Sequence, residues 1–294
     1  PDAWSQHAYS AEDIRTVSPD NRMVCFPYPK RMCANIDVDQ AAAIILCSYE
    51  TARAAGVPDE RIVFLHAAAE VHDHYFVTER WSLADSPGIA TAVGDALDAA
   101  SITLDDIAHF DLYSCFPSAV QVATRALGLT ADDPRALTVT GGLGFAGGPV
   151  NNYPTHAIAR MVQVLRADPA RFGCTTALGW YITKHATGIW STSPPAGGFR
   201  RVDPTVSQAA VDATPRRDVA GLLDGPATLE ATSVAVERDG TPSLGIVTAL
   251  TGDGRRAMAN IRDRDALHAL TTEAHEGRTV RVTNDGATNT ADLG

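Results

Sequence analysis

The sequence is poor in positive charge. Its 24 Lys and Arg residues are outnumbered by 35 Asp and Glu residues, which gives a formal net charge of −11. Proteins that bind nucleic acid gain much of their affinity by neutralising phosphates with basic side chains, so this balance argues against a nucleic-acid partner. An acidic balance of this kind is typical of a soluble protein.

Long apolar runs are missing as well. The longest, residues 41–47 (AAAIILC), is much shorter than the roughly 20 residues that a membrane helix needs. The run fits a buried strand, and no signal peptide is visible. We therefore expect no membrane association.

Cysteine is scarce. The five cysteines, an odd number without paired spacing, are Cys25, Cys33, Cys47, Cys115 and Cys174. This usage predicts reduced thiols and a cytoplasmic location.

A metal site is not expected either. The stretch His72-Asp73-His74 contains a pair of metal-binding side chains, but the sequence offers no third ligand. A loop with solvated histidines is therefore favoured over a metal centre.

What the sequence does contain is an alternation of strand and helix patterns. Strands are predicted at residues 41–47, 61–69, 109–112, 136–140, 171–178 and 186–191, and helices at 48–55, 89–100, 118–127 and 155–166. Such alternation is typical of α/β layering with crossover helices.

The pattern changes after the stretch Pro194-Pro195-Ala196-Gly197-Gly198. After a linker at residues 202–225, strands are predicted at 227–237, 243–251, 256–260 and 278–283, with one helix at 263–270. This spacing predicts a small β-barrel that resembles an oligonucleotide/oligosaccharide-binding (OB) fold. The predicted domains are an irregular region at 1–37, an α/β domain at 38–197, and a linker with the barrel at 198–294. The basic pairs Arg200-Arg201 and Arg255-Arg256 are expected to be solvated turn residues.

A glycine-rich stretch, VTGGLGFAGGPVNNY at residues 139–153, fits the G-x-G-x-x-G pattern of dinucleotide-binding loops. Such a loop requires a helix that starts at the third glycine and an acidic residue about 20 residues further on. Here Gly148-Pro149 follow at once, and the next strand ends at Leu178 without a carboxylate. A nicotinamide-dependent oxidoreductase therefore remains only a second alternative. The glycines favour a tight backbone path around a thin acyl or pantetheine chain.

Four motifs, in order, resemble the C-terminal half of the thiolases. The similarity is strongest to the thiolase-like proteins of actinobacteria, which add a C-terminal β domain. Tyr113-Ser114-Cys115-Phe116 resembles the thiolase His-Asp-Cys-Phe, and Gly141-Gly142 followed by Gly147-Gly148-Pro149 resembles Gly-Gly with a later Gly-His-Pro. Ala177-Leu178-Gly179 resembles Cys-x-Gly, and Asp39-Gln40-Ala41-Ala42-Ala43 resembles Asp-Gly-Ala-Ala-Ala. The resemblance covers about residues 38–193.

The resemblance implies a layered α-β-α-β-α fold of which this chain supplies one half. It also implies that the substrate or ligand is a coenzyme A thioester and that no cofactor is covalently bound. The reaction it implies is of the acetyl-CoA acetyltransferase type. The missing N-terminal half is expected as a preceding segment or a partner chain, because an isolated half would expose a large apolar patch. The start at Pro1-Asp2-Ala3-Trp4, without Met, agrees with a piece of a larger protein, and an oligomer is also expected.

The same resemblance locates the missing catalytic groups. Gly148 stands where thiolases have the histidine that activates a nucleophilic cysteine, and Ala177 stands where they have the proton-transfer cysteine. Tyr113 stands where thiolases have the Asn or His side chain that holds a water molecule. The nucleophile itself belongs to the N-terminal half, so ordinary thiolysis is not expected from these residues.

Other side chains are candidates to replace the lost groups. His185 and His156 flank the thiolase pocket and are candidate bases, and the alternative is that both are partly buried and satisfied by the backbone. Cys115 is a candidate nucleophile, or a core thiol whose pKa is raised by its apolar setting.

The candidate CoA-binding residues are Gly147, Gly148, Asn151, Asn152 and Gly179, with the asparagines donating hydrogen bonds to a carbonyl. Two interpretations lead. The protein is an acyl-CoA-binding thiolase-like acyltransferase, or it is a non-catalytic acyl-CoA binder or scaffold whose barrel docks a partner enzyme.

Overall fold

The computed structural model describes residues 2–130 and 132–293. Contacts divide the chain into a first unit, Pro1–His7, Cys33–Tyr75 and Ala84–Thr214, and a second unit, Ala8–Met32, Phe76–Leu83 and Pro215–Gly294. The helices are α1 (Ala11–Arg15), α2 (Tyr49–Ala54), α3 (Pro87–Ala100), α4 (Pro117–Leu127), α5 (Leu143–Ala146), α6 (Tyr153–Ala167), α7 (Pro204–Asp212) and α8 (Arg264–Thr272). The strands are β1 (Met23–Phe26), β2 (Tyr28–Pro29), β3 (Phe64–His72), β4 (Ile107–Asp111), β5 (Phe172–Gly179), β6 (Lys184–Ser191), β7 (Arg200–Arg201), β8 (Gly225–Val236), β9 (Pro242–Leu250), β10 (Arg256–Ile261), β11 (Thr279–Asn284) and β12 (Asn289–Asp292). Within residues 2–130 and 132–293, no helix has both the length and the apolar character to cross a membrane.

The first unit is built on a five-stranded sheet with the order β4-β5-β6-β3-β7. β4 is parallel to β5, whereas β6 is antiparallel to both β5 and β3. The strands β3, β4 and β5 therefore run in one direction, and their carboxyl ends lie at the same edge of the sheet. We call this edge the carboxyl edge.

Helices cover both faces of this sheet. Ile189 and Trp190 are neighbours on β6 and point to opposite faces, as successive strand residues do. Ile189 belongs to the core formed with α3 and α4, whereas Trp190 packs with Met161 and Leu165 of α6. Full burial of a side chain such as Ile189 stabilises the fold by roughly 1.5–3 kcal/mol. The predicted α/β layering is confirmed.

Local sequence explains where α3 begins and ends. Ser86 Oγ accepts a hydrogen bond of 3.1 Å from the N–H of Ile89, and Pro87 occupies the first turn, where its missing N–H is not needed. The helix ends at Ser101, whose φ of 58° is left-handed. Buried residues such as Val93 and Leu97 face the sheet at helical spacing.

The predicted buried strand at residues 41–47 is wrong. The segment forms no strand in either described sheet, and Ile45 and Leu46 are 93% and 81% exposed. An apolar run becomes a buried strand only where a neighbouring strand takes its backbone hydrogen bonds. The part of the chain that the structure describes offers this segment no such neighbour.

The predicted strand at residues 136–140 is also wrong. The backbone N–H groups of Val139 and Thr140 donate to the carboxylate of Asp111, at 3.0 and 3.1 Å, instead of to a neighbouring strand. The segment is therefore a loop, and α5 behind it has only four residues. The strand, tight turn and long helix of a dinucleotide site are not present at residues 139–153.

The second unit contains a closed five-stranded barrel. Its strand order is β11-β12-β10-β9-β8, and β11 pairs with β8 to close it. β10 and β12 pair in parallel, and α8 lies between β10 and β11 in the chain. The core includes Val234, Val247 and Val282, which are fully buried. The OB-like barrel predicted from the turn spacing is confirmed, with β12 (NTAD) as a strand that its polar sequence did not predict.

Two segments expected to be irregular are partly regular. Residues 8–32 contain α1, β1 and β2, and β1 pairs with β8 through Cys25 and Ala235. The predicted linker at residues 202–225 contains α7, which starts at the N-cap Asp203. The second unit is thus assembled from three separate stretches of sequence.

Arg256 is not the solvated turn residue that the sequence suggested. Its side chain is fully buried, and its guanidinium forms two hydrogen bonds of 2.6 Å with the Glu230 carboxylate. The same guanidinium donates to the backbone carbonyls of Val77, Thr78 and Arg80. A buried charge is tolerated here because every donor has an acceptor. Arg256 thereby attaches residues 77–80 to the barrel.

We expect Arg256→Ala to lower the free energy of unfolding of the second unit by about 3–5 kcal/mol, because Glu230 would keep a charge without its buried partner. The neighbouring Arg255, which is exposed and paired with Asp253, is the matched control. Arg255→Ala should change the free energy by about 0.5 kcal/mol or less. Urea denaturation measures both variants, and equal midpoints would contradict the role assigned to Arg256.

Candidate functional site

The motifs at residues 113–116, 141–149 and 177–179 lie on loops close to the carboxyl edge. β4 ends at Asp111, just before Tyr113-Ser114-Cys115, and β5 ends at Gly179. In open α/β sheets, ligands bind in the crevice outside the carboxyl ends of the strands. The chain therefore places its motif residues where a ligand site is expected.

A buried carboxylate organises the glycine-rich loop. Asp111 is fully buried, and Tyr153 donates its hydroxyl proton to Asp111 Oδ1 at 2.8 Å. Asp111 Oδ2 accepts the N–H groups of Val139 and Thr140. Burial raises the pKa of Asp111 in spite of these hydrogen bonds. The carboxylate thus fixes the start of the loop and the first turn of α6 together.

The glycine loop follows a backbone path that few side chains allow. Gly142 and Gly147 have φ values of 87° and 102°, in the left-handed region that favours glycine. A Cβ on Gly147 would overlap Gln40 Oε1. These two positions let the chain turn sharply on both sides of α5.

The space beside Gly148 is closed by residues 34–35. The Gly148 N–H donates to the Asn35 carbonyl at 2.8 Å, and a Cβ on Gly148 would lie 3.3 Å from the Ala34 Cβ. An imidazole there would require residues 34–35 to move. The backbone amide is also committed to Asn35.

His156 lines a cavity of about 370 Å³ at the end of this loop. Gln40, Thr140 and Arg160 share the lining, and sequence reasoning did not single out Gln40 or Arg160 as site residues. Burial lowers the pKa of His156, so the ring is neutral at pH 7. The side-chain amide of Asn152 lies 3.3 Å from His156 Nε2 and donates to it. The structure therefore brings together three of the predicted residues: Asn152 contacts His156, and Gly147 lines the same cavity as His156.

A second, much smaller cavity of about 10 Å³ is lined by Tyr113, Ala177 and His185. That volume is close to what one water molecule occupies. The motif positions at Tyr113 and Ala177 are therefore neighbours in space. His156 lies in the lining of the larger cavity instead, so the two candidate histidines do not share a site.

His185 is held by a buried network that the sequence did not reveal. Its Nε2 donates to Asp73 Oδ2 at 2.9 Å, and Ser86 donates its hydroxyl proton to the same oxygen at 2.5 Å. The N–H of Gly88, in the first turn of α3, donates to Asp73 Oδ1. Burial pushes the pKa of Asp73 upward, but the hydrogen bonds from His185, Ser86 and Gly88 outweigh it and hold the pKa below its usual value. The network joins the end of β3 and the start of β6 to the start of α3.

Tyr113 and Cys115 lie in an apolar setting. Both pack against the cluster of Leu143, Tyr153 and Ala157. Burial raises the pKa of Tyr113, and burial likewise raises the pKa of the Cys115 thiol. A thiol with a raised pKa is protonated at pH 7 and is a poor nucleophile.

Two further predicted residues lie outside the linings of these cavities. Asn151 is exposed in the short turn Val150–Asn152. Gly179 ends β5 and begins the turn into β6. The proposed CoA-binding and catalytic roles of all these residues stay predictions.

The histidine pair next to Asp73 does not form a metal centre. The carboxylate of Asp73 is taken by His185 and Ser86, and His72 Nδ1 lies 3.0 Å from the Asp73 carbonyl oxygen. Among residues 2–130 and 132–293, no group of three or more His, Cys, Asp or Glu side chains is placed to hold a metal ion.

Comparison with known proteins defines the family. Residues 207–287 match the family described as the thiolase-like protein type 1 additional C-terminal domain. The fold matches the crystal structure of a monomeric SCP2-thiolase-like protein type 1 from Mycobacterium smegmatis, with a TM-score of 0.91 and 38% sequence identity. Both findings support a thiolase-superfamily protein with an additional C-terminal domain. No curated protein matches it.

The match covers 100% of this chain and 64% of the M. smegmatis chain. The chain thus spans less than two thirds of the length of that relative. The family resemblance drawn from the four motifs is confirmed, together with the additional β domain.

We expect His185→Ala to lower the free energy of unfolding by about 3–5 kcal/mol, because Asp73 would remain buried without its imidazole partner. His156→Ala is the matched control, since His156 is partly exposed and makes one long hydrogen bond. Its cost should be about 1 kcal/mol or less. Urea denaturation at pH 7 compares them, and a loss for His185→Ala as small as the control's would refute a structural role for His185.

Proposed function

We propose that the protein binds a coenzyme A thioester at the carboxyl edge of the first unit and does not carry out thiolysis with its own residues. The observation that carries this proposal is the environment of Gly148. The position that holds the activating histidine in thiolases is a glycine whose Cβ direction meets Ala34 at 3.3 Å and whose amide is bonded to Asn35.

The chemistry that is missing supports binding over thiolysis. Thiolysis needs an imidazole to generate a thiolate and a second thiol to move a proton at the α-carbon. Gly148 and Ala177 supply neither group. The thiol of Cys115 does not replace them, because its pKa is raised by burial.

The features that fit a CoA thioester are the carboxyl edge, the narrow glycine path and the cavity of about 370 Å³ beside His156. A cavity of that size is within the range of small-molecule sites. In this proposal, Gly147, which lines the cavity, lets the backbone approach the pantetheine chain closely, and Asn152 donates a hydrogen bond to a carbonyl. Gly148 faces residues 34–35 and contributes through the backbone turn alone. Asn151 and Gly179 are placed farther along the same ligand.

A second candidate function is acyl transfer with His156 as general base. The observation in its favour is that His156 lines the larger cavity with a lowered pKa, so its ring is neutral at pH 7 and accepts a proton at Nε2 once the long hydrogen bond from Asn152 is released. His185 is less suited to this role, because its Nε2 already donates to Asp73.

In the alternative of a non-catalytic scaffold, the barrel would serve as the module that docks a partner enzyme. The glycine loop gives no support to a nicotinamide-dependent oxidoreductase.

We also propose that another polypeptide half of the thiolase type covers residues 41–47. The observation behind it is the exposure of Ile44, Ile45 and Leu46 on an extended, unpaired segment. Such a segment offers backbone donors and acceptors to a further strand. The half is either part of the same polypeptide or a separate partner chain.

Reducing surroundings agree with the cysteines, all five of which are free. We therefore keep the cytoplasm as the proposed location.

For the covering half, we expect the amides of residues 43–46 to be protected from hydrogen exchange in the full-length protein, because a neighbouring strand would hold them in hydrogen bonds. The exposed turn at Asp239-Gly240 provides an internal control that should exchange rapidly. Exchange of 43–46 as rapid as that of the turn would count against the proposal.

For the ligand, titration of the full-length protein with acetyl-CoA in a calorimeter should show saturable binding. A thiolysis assay with acetoacetyl-CoA and CoA should show no turnover above background. If acetyl-CoA gives no binding heat, both the proposed CoA binding and the acyl-transfer function are refuted. Turnover of acetoacetyl-CoA at a rate typical of enzymes would contradict the proposed loss of thiolysis.

Two variants refine this experiment. Gly148→His should not create thiolase activity, because the side chain meets Ala34 and Asn35. If an acyl-transfer activity is found, His156→Ala should reduce it by about 10²–10⁴-fold, the usual contribution of a general base. An unchanged rate would eliminate His156 as the base.

A further inference from the structure

Lys184, the first residue of β6, lies on the face of the first sheet that packs against α6. It shares this face with Ala186 and Trp190, because strand residues two positions apart point the same way. In the ladder between β5 and β6, Gly179 is directly opposite Lys184, and Ala177 is directly opposite Ala186. Ala177 is therefore a diagonal neighbour of Lys184, at a separation of about 7–8 Å that a long side chain spans.

An open apolar groove of about 230 Å³ lies on the same face. Ala177, Ala186 and Trp190 are among its lining residues, together with Ile158 of α6. Lys184 is the next residue of β6 on this face toward the carboxyl edge, and its side chain is exposed. The structure thus places an amine at the end of an apolar groove, on the edge of the sheet where the proposed function places a thioester.

Gly179 gives the side chain of Lys184 room to lie flat on the sheet. A Cβ on Gly179 would be 3.4 Å from the Cβ of Lys184 and 3.6 Å from its Cδ. The aliphatic stem therefore covers the glycine in van der Waals contact. A side chain at position 179 would press against this stem and displace it.

His72 faces Lys184 from the other neighbouring strand. The two residues are directly opposite each other in the ladder between β3 and β6. Lys184 Nζ lies 5.8 Å from the centroid of the Tyr75 ring, and the His72 ring packs edge-on against the same ring. The amine and the imidazole are therefore neighbours beside one aromatic ring.

The hydrogen bonds of His72 define which of its nitrogens accepts a proton. Nδ1 donates to the Asp73 carbonyl oxygen at 3.0 Å. The amide protons of Gln208 go to the His72 carbonyl oxygen and to the Asp212 carboxylate, so Gln208 does not donate to Nδ1. The neutral ring thus carries its proton on Nδ1, and Nε2 is the acceptor.

The carboxylates on either side of His72 in the sequence are already engaged. Glu70, which lies on the same face of β3, forms an ion pair of 2.6 Å with Arg201. The carboxylate of Asp73 is bonded to His185. Neither pair has to be broken before the amine of Lys184 reacts.

We propose that Lys184 is an acyl acceptor, which takes the acyl group of a bound coenzyme A thioester with His72 as the base. This inference rests on the proposed function, because that function supplies the thioester. Lysine amines are established nucleophiles toward carbonyl carbon, and a positioned imidazole assists by removing a proton. The reaction is distinct from thiolysis, since the acceptor is an amine of the protein and no cysteine takes part.

The reaction balances without a further reactant. His72 Nε2 takes one proton from the Lys184 ammonium, and the neutral amine attacks the thioester carbonyl. The carbon–sulfur bond breaks, and coenzyme A leaves as the thiolate. The second proton lost by the nitrogen goes to the thiolate sulfur, and the first passes from His72 to water. The products are an amide on Lys184, free CoA thiol and one proton.

The test uses a control that the chain itself provides. Lys30 and Lys184 are the two lysines of the 294 residues, and Lys30 is exposed in the second unit. Full-length protein is incubated with acetyl-CoA, and peptide mass spectrometry follows acetylation at both positions. Lys184 should react at least about tenfold faster, because a bound thioester makes the step intramolecular. The rate at Lys184 should saturate with acetyl-CoA, and added CoA should slow Lys184 but not Lys30.

Two variants test the assigned roles. Lys184→Arg keeps the positive charge and should abolish the release of CoA thiol that accompanies the reaction. His72→Gln should slow acetylation of Lys184 by about 10²-fold or more, the usual contribution of a general base. His268→Gln is the matched control, since His268 is exposed on α8 of the second unit, and it should react at the unaltered rate. Circular dichroism and calorimetric titration with acetyl-CoA show whether each variant is folded and binds.

The outcomes separate this inference from the proposed function. If acetyl-CoA binds but Lys184 is not modified, or if Lys184 and Lys30 react equally fast, the acceptor role is overturned and the proposed CoA binding stays in place. An unchanged rate in His72→Gln overturns the assignment of the base. Absence of both binding heat and acetylation overturns the inference and the proposed function together. Saturable acetylation confined to Lys184 supports the acceptor.

Discussion

The burial of Asp111 at the end of β4 is the constraint on which the candidate site depends. A carboxylate inside an apolar core is stable only if its oxygens accept hydrogen bonds, and here they accept two backbone N–H groups and a tyrosine hydroxyl. Those partners belong to the glycine loop and to α6. One buried charge therefore sets the entry of the loop, its glycine turns and the orientation of the helix behind it. Asp73 has the same function at the end of β3, where it joins β6 to α3.

The two networks divide the histidines of the first unit into different roles. The ring of His185 is committed to a buried carboxylate and stabilises the sheet edge, whereas His156 faces open volume and keeps a neutral ring. Gly148 and Ala177 remove the proton-handling groups of a thiolase but keep its backbone path. Under the proposed function, the fold binds a long, thin thioester but has no side chains at these two positions to cleave it. Shape and chemistry are separable because the glycine turns depend on backbone conformation and the catalysis on side chains.

Within the second unit, the barrel is held to two stretches that come much earlier in the sequence. Arg256 combines a bidentate pair with Glu230 and donation to three carbonyls of residues 77–80, a stretch that lies far away in sequence. Strand β1 extends the barrel at β8 in the same way, from residues 23–26. The long sequence separation of these contacts explains why the linear division at residue 198 missed two of the three stretches.

The sequence by itself determined the layered α/β unit, the OB-like barrel and the thiolase resemblance, because hydrophobic periodicity, turn residues and motif order are local properties. It correctly placed helices such as α3 and α6. Tertiary structure alone decided that residues 136–140 form a loop, since a distant carboxylate takes their amides, and that Arg256 is buried, since its acceptors come from residues 77–80 and 230. It also decided that residues 41–47 pair with no strand of the described ranges 2–130 and 132–293. A strand, a buried charge and a shared cavity each depend on a partner far away in the chain, and no local pattern records where that partner will lie.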